Sequence, residues 1–293
     1  MKLIKQSFEI LEQKDFTIKG IKQFIERCAR VSYKSEDKIT DTSYEKFVNM
    51  LESRGHDRPL EFGTVYLSRS AQKEDNMAWL DKYTYSPWSK FSFGNGSIRV
   101  DGKLRNTIYV TTNYRVIKEN HWEDDLQYLC EPTEYHHKRY TVHMILDRGV
   151  MDEFRTHIGL SHLAESTRYC NYSKDKFDNE LTFIQPCWLN DEKLKLYGPY
   201  HIVIRDKSPE SIFIANLNNV ERDYLDLIKL GWTPQQARSV LPLGIKSELI
   251  SCGFEDAWKN FFYRRDAPDA HPMAQEIAKP MHKEFIERGF IDK

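Results

Sequence analysis

Apolar residues along this chain recur at two spacings, and the switches between them outline its elements. Residues 3–11 (LIKQSFEIL) read as a first strand, followed by a turn at Lys19 and Gly20 and a helix over 21–30 that aligns Ile21, Phe24, Ile25 and Cys28. After a polar loop, SYKSEDKIT, Ser43 is placed to cap a helix YEKFVNMLESRG that turns Phe47, Val48 and Leu51 inward and stops at Gly55. A turn over 56–59 leads into LEFGTVYLS, where β-branched and aromatic residues favour a strand. NTIYVTTNYRVI reads as another strand, WEDDLQYLC as a short helix, and KRYTVHMILDRG as a strand in which Tyr140, Val142, Met144 and Leu146 alternate.

Residues 147–172 (DRGVMDEFRTHIGLSHLAESTRYCNY) break this regularity by carrying three arginines, two histidines and four acids in one stretch. Val150, Met151, Phe154 and Ile158 are spaced to give one apolar helical stripe, while Ser166, Thr167 and Arg168 offer a phosphate two hydroxyls and a guanidinium fork. The stretch reads as a helix leading into an anion site, or, alternatively, as an amphipathic helix with solvated charges. Beyond it, LTFIQPCWL is extended and SIFIANLNNVERDYLDLIKLG is a long amphipathic helix. Thr233 and Pro234 start another helix, which carries Arg238 and ends near Leu241 and Pro242. The remainder, from SELISCGF to the end, reads as two helices separated by the loop DAPDAHP, because proline cannot continue a helix interior. Residues 70–105, rich in Gly, Ser and aromatics, read as a surface insertion. A few antiparallel strands with segregated helices predict an α+β fold, with one domain over residues 1–293.

Composition narrows the classes. A hydrophobic fraction of 40% with a mean hydropathy of -0.66 describes a globular protein with a sizeable core. The formal net charge of -1 provides no global field for a polyanion, so phosphate binding has to come from local clusters such as Arg155 with Arg168 or Arg264 with Arg265, and a nucleic-acid coat is disfavoured. Five scattered cysteines without a CxxC pair fit reduced thiols better than a disulfide frame or a metal site. The N-terminal residues lack a signal-like apolar run and no window approaches a membrane span, so a cytoplasmic location is expected.

Ser166, Arg168, Arg238 and Arg265 would suit a nucleotide phosphate and a base carbonyl if the fold brought them together, although each arginine alone is more often a surface charge. His157, His162 and His271 are candidate proton carriers, and Glu153 and Glu165 could orient a polar substrate. His157 and His162 lie five residues apart and so do not share a helical face, which disfavours a metal pair. No GxGxxG, Walker, HExxH or GxSxG pattern is present, so a bound nucleotide has to be held by something other than a glycine-rich loop.

Five segments, CARVSYKSEDKIT, GHDRPLEFGTVYL, ESTRYCNYSKDKF, PQQARSVLPLGIKSELI and RRDAPDAHPMAQEIA, occur in an order that resembles the flavin-dependent thymidylate synthases, from about residue 2 to 288. The resemblance implies a homotetramer of α+β subunits with active sites at subunit interfaces. It also implies FAD as cofactor, dUMP as substrate, and NADPH and methylenetetrahydrofolate as cosubstrates, with the flavin carrying the chemistry and no cysteine nucleophile. By motif position the resemblance implies that Ser166 and Arg168 grip the nucleotide phosphate or sugar, with Arg238 joining them, and that Thr167 and Glu153 also bind substrate. The resemblance further implies that Arg265 binds substrate and is the catalytic group that polarises the uracil. Ser32, Thr64, Arg155, His157, Asn260 and His271 fall on the flavin side.

Departures from the family pattern cluster on that flavin side. The family's Arg-His-Arg reads Thr156-His157-Ile158 here, with Arg155 one place early and therefore rotated by about 100° if the segment is helical. The Glu-His that usually precedes the second strand is Glu61-Phe62, and the glutamine usual two residues after the loop histidine is Met273. These losses imply a weakened or rearranged flavin grip. They leave three readings: a thymidylate synthase, a relative with another C5 modification such as hydroxymethylation of dUMP or dCMP, and a non-catalytic nucleotide binder.

Overall fold

The computed structural model describes residues 1–100, 103–189, 192 and 208–292. The expected first strand is broken at Lys5 and Gln6 into β1 (Lys2–Ile4) and β2 (Ser7–Leu11). The break lets one stretch serve two sheets: β1 pairs in parallel with β8 (Thr182–Ile184), and β2 pairs antiparallel with β6 (Arg139–Asp147). The central sheet has the order β2-β6-β9-β7 and is antiparallel throughout, with β7 at Leu160–Ala164 and β9 at Lys246–Phe254. The α+β fold class is therefore observed directly.

Two layers enclose that sheet. Val142, Met144, Leu146 and Leu249 face α5 (Arg148–Phe154), α8 (Glu255–Arg265) and α9 (Pro272–Glu287), where Trp258, Phe261, Phe262 and Phe285 form an aromatic core. Ile250, Cys252 and Leu163 face the other way, toward Phe24, Cys28 and Val31 of α1 (Ile18–Tyr33). Because both faces of β9 are covered, all of its residues after Lys246 are buried and no polar alternation marks it as a strand. This central strand was expected as part of a helix.

A second antiparallel sheet, β3-β5-β4, comprises β3 (Thr64–Ala71), β4 (Lys90–Val100) and β5 (Lys103–Asn113). With α3 (Lys73–Thr84) it takes up most of the stretch expected as a surface insertion; residues 101 and 102 lie outside the described residues. The stretch supplies core instead: Trp79, Leu80 and Tyr83 pack with Val48 and Leu51 of α2 (Ser43–Ser53) and with Val65, Leu67, Ile108 and Val110. The strand expected over NTIYVTTNYRVI ends at Asn113, whose side chain caps α4 (Tyr114–Glu119). Gly20 lies inside α1, and Thr17 starts that helix by accepting from the Gly20 N–H. Ser43 is the first helical residue of α2, not its cap, and its hydroxyl reaches Glu26 of α1 at 2.8 Å. Gly55 follows α2 at φ +64, the left-handed conformation that favours glycine there.

The third packing unit surrounds α6 (Pro209–Lys229), capped by Ser208, and the short α7 (Pro234–Ala237). Leu217, Tyr224 and Ala237 pack there against Tyr172, Leu181, Phe183 and Ile245. This unit carries Arg238 to the end of β9.

Candidate functional site

The 147–172 stretch departs from the expected helix, and the departure creates the site. Asp147 caps α5 by accepting the Val150 N–H at 2.8 Å, and the helix stops at Phe154. Gly159, at φ +90, then turns the chain into β7. Val150, Met151 and Phe154 form the expected buried stripe, but Ile158 does not join it and is 92% exposed. The turn also separates its side chains, with His157 buried and Thr156 and Ile158 facing solvent.

The nucleotide-side residues gather where β7 ends. Arg238 Nη1 donates to Thr167 Oγ1 at 3.3 Å, joining segments 71 residues apart. Ser166 donates its N–H to the Ser32 carbonyl at 3.3 Å, which places the end of α1 against the same loop. The Ser32 hydroxyl is buried there without a partner, a polar atom left over for a ligand or water. Arg168 and Arg238 are exposed, and the Arg168 guanidinium lies 5.6 Å from the Tyr169 ring centroid. Ser32 and Arg238 thus border a loop that itself carries Ser166, Thr167 and Arg168.

Arg265 belongs to a different constellation. At the end of α8 its Nε donates to His157 Nε2 at 2.8 Å, Nη1 to a Glu153 carboxylate oxygen at 2.7 Å and Nη2 to the Glu153 carbonyl at 2.9 Å. Three of its five N–H groups are thereby committed, leaving two that can meet a ligand. Burial, reinforced by the positive charge of Arg265, lowers the His157 pKa to about 4, so its imidazole is neutral near pH 7 and can accept from the guanidinium. His162 on β7 is likewise held neutral by burial, with a pKa of about 4, and it contacts Ser251 at 2.9 Å and the His157 carbonyl at 3.3 Å. Glu153 is thus a partner of Arg265 and not of the 166–168 loop. Among the described residues no hydrogen bond or ion pair joins Arg265 to Ser166, Thr167, Arg168 or Arg238.

The expected flavin-side residues scatter. Asn260 and His271 are exposed on and beside α8 and α9, near Arg264, and an open groove runs from Glu153 and Arg265 along residues 267–271. Arg155 is exposed, and its guanidinium lies 3.4 Å from Asp152. Thr64 lies apart, on β3, where its hydroxyl accepts from Arg139 at 3.2 Å. Phe62 is completely buried with Leu11, Phe24, Leu163 and Ile250, and Met273 is 3% exposed in the aromatic core. Both are packing residues.

Sequence reasoning missed the lysines beneath the 166–168 loop. Lys246 donates to Glu165 at 2.9 Å and pairs with Glu248, Lys34 also pairs with Glu248, and His143 reaches Glu248 at 2.8 Å. Burial alone would raise the Glu248 pKa, but the hydrogen bond from His143 and the charges of Lys246 and Lys34 outweigh it and hold the carboxyl well below its usual range. Lys246 also loses some charge stabilisation to burial, but Glu165 and Glu248 more than restore it and raise its pKa. The available signal was the spacing Lys246-x-Glu248, which sets two charges on one face once the segment is known to be a strand.

Comparison with known proteins adds a family to this geometry. The family model Thy1, thymidylate synthase complementing protein, matches residues 92–288, about two thirds of the chain. No curated protein matches. Among 107 matching solved chains is thymidylate synthase X from Helicobacter pylori with FAD and dUMP, with 18% identity and a TM-score of 0.36. That similarity covers 50% of this chain and 66% of the solved one. Among the described residues no group of three His, Cys, Asp or Glu side chains could hold a metal ion, and no helix is long and apolar enough to cross a membrane.

Proposed function

Because this chain belongs to the thymidylate synthase complementing protein family, we propose that it binds dUMP and transfers a one-carbon unit to C5 of the uracil, making dTMP as a thymidylate synthase. The Arg238–Thr167 contact supports this reading most directly, because it brings two separate motifs to one loop with a second guanidinium and a hydroxyl beside it. Arg168, Arg238, Ser166 and Thr167 grip the 5′ phosphate, and charge-assisted bonds to it are worth about 1.5–3 kcal/mol each. Arg265 directs its two remaining N–H groups at the uracil, where they steady the charge that develops on the base oxygen. The neutral His157 ring and the Glu153 side chain keep its fork from rotating.

The flavin side fits FAD with a reduced set of donors. Arg155, Asn260, Arg264 and His271 are accessible to it, while Thr156 and Ile158 supply no charge. When bound, FAD supplies the redox and one-carbon relay chemistry, with NADPH and methylenetetrahydrofolate as cosubstrates. The thin donor set favours a second reading, in which a relative with weakened flavin binding carries out another C5 modification. Among the described residues no hydrogen bond joins Arg265 to the 166–168 loop, which favours a site completed by another subunit, and the homotetramer is proposed from the family resemblance. The separation of these two constellations is also the reason to place the site between subunits.

Calorimetry with dUMP tests the core of the reading. Native binding weakened by about 10- to 100-fold in both Arg168→Ala and Arg238→Ala supports it, and unchanged affinity in both removes it. Visible absorption of the purified protein and identification of the product then separate the readings. Flavin bands with dTMP support the synthase, whereas a colourless protein yielding a hydroxymethyl nucleotide supports the alternative.

A further inference from the structure

Five side chains from four segments converge beneath the 166–168 loop: Lys34 at the end of α1, His143 on β6, Glu165 after β7, and Lys246 and Glu248 on β9. The Glu165 side chain is fully buried, those of Glu248, Lys34 and Lys246 are 7%, 14% and 15% exposed, and Tyr172 donates to Glu165 at 3.3 Å. At the outer edge Lys34 also meets the exposed Glu36 at 3.3 Å. Glu165 donates its N–H to the Glu248 carbonyl, so the two carboxylates are neighbours on adjacent strands and would repel strongly without the ammonium groups between them. The formal charges of the two lysines and two glutamates cancel.

A buried ion cluster adds little stability over apolar residues of similar volume, so stability alone accounts poorly for this one. Its location offers a better reason. Glu165 directly precedes Ser166, Lys34 follows two residues after Ser32, whose carbonyl accepts the Ser166 N–H, and Lys246 ends the segment that brings in Arg238. Resting on the phosphate-site reading above, we propose that this cluster fixes the local charge under the 166–168 loop and thereby sets its affinity for a nucleotide phosphate. Lys246 and Glu165 act as positioning residues of opposite electrical sign. A role confined to packing gives loss for either substitution; an electrostatic role gives shifts in opposite directions. Lys246→Met leaves the cluster with one excess negative charge, and Glu165→Gln leaves it with one excess positive charge.

The test is calorimetry on the full chain at low salt and about pH 8, where histidine is neutral, with dUMP and with deoxyuridine as the probe lacking phosphate. Lys246→Met is expected to weaken dUMP binding by about tenfold or more, Glu165→Gln to tighten it, and the double variant to return within about threefold of native. Deoxyuridine affinity moves far less in all three, and added salt shrinks the dUMP differences. Weakening of both probes by both single variants, or no recovery in the double variant, overturns the inference. If Lys246→Met fails to fold, the sign of the Glu165→Gln shift decides alone. If native protein fails to bind dUMP, or if Arg168→Ala and Arg238→Ala both leave binding unchanged, the phosphate-site reading falls and takes this inference with it. Weakening by Arg238→Ala without opposite shifts in the cluster variants overturns the inference alone.

Discussion

Arg238 and Arg265 carry the same functional group, yet the fold treats them differently. Arg238 is exposed and held by a single 3.3 Å hydrogen bond, whereas the Arg265 side chain is 18% exposed and committed through all three of its nitrogens. On the proposed reading the difference follows from what each would contact. A phosphate is a large, nearly symmetric anion that can order a loose guanidinium as it binds, but directing N–H groups at one base oxygen requires their orientation to be fixed beforehand. A neutral histidine suits the second task because it takes the Nε hydrogen without adding a repelling charge. The lesson is that one residue type serves as an adaptable clamp or as a preorganised donor according to its own hydrogen-bond partners.

This contrast is most severely tested at Arg265. Arg265→Ala is expected to reduce turnover by about 100- to 1,000-fold, the scale of losing a donor aimed at developing oxygen charge, with a smaller change in dUMP affinity. Steady-state kinetics alongside calorimetry checks it, and a loss confined to affinity would make Arg265 another clamp. Arg238→Lys sharpens the other half: the charge is retained and the fork lost, so dUMP affinity should fall by about tenfold or less and remain above that of Arg238→Ala.

The flavin side gives a smaller expected effect. Thr156→Arg with Ile158→Arg is expected to raise FAD affinity by about tenfold, because both positions face solvent and can receive cations without disturbing the core. Fluorescence titration with FAD reads this, and tight native binding abolished by Arg155→Ala would show that the pocket had been rebuilt around Arg155. Phe62 is unsuitable for such a restoration, since an imidazole there would enter an apolar core.

The mildest expectation concerns pH. His157 and His162 are depressed from their ordinary 6.5 to about 4, chiefly by burial. Between those values the unfolded chain binds more protons than the folded one, so their contribution to stability is present above about pH 6.5 and is lost as pH falls toward 4. Denaturant midpoints should fall across that window, and His157→Gln should flatten the slope. An unchanged slope in that variant would show that His157 is not depressed in the folded protein.

The sequence determined much of the local structure. Period-three and period-four apolar spacing located α1 and α6, the Thr233-Pro234 start located α7, and DAPDAHP divided α8 from α9, because propensity and proline geometry act over a few residues. Arg168, Arg238 and Arg265 could likewise be singled out from their motifs. Tertiary structure decided what local pattern could not encode. β9 is covered on both faces and so shows no alternation, and β7 follows a turn at Gly159 that the helical spacing of Ile158 concealed. Phe62 and Met273 acquire their packing roles from distant strands and helices. The pairing of Arg238 with Thr167, the clamping of Arg265 by His157 and Glu153, and the convergence of Lys34 with Lys246 all join residues separated widely along the chain. Long-range packing supplies those contacts, and it leaves no periodic trace in the segments it brings together.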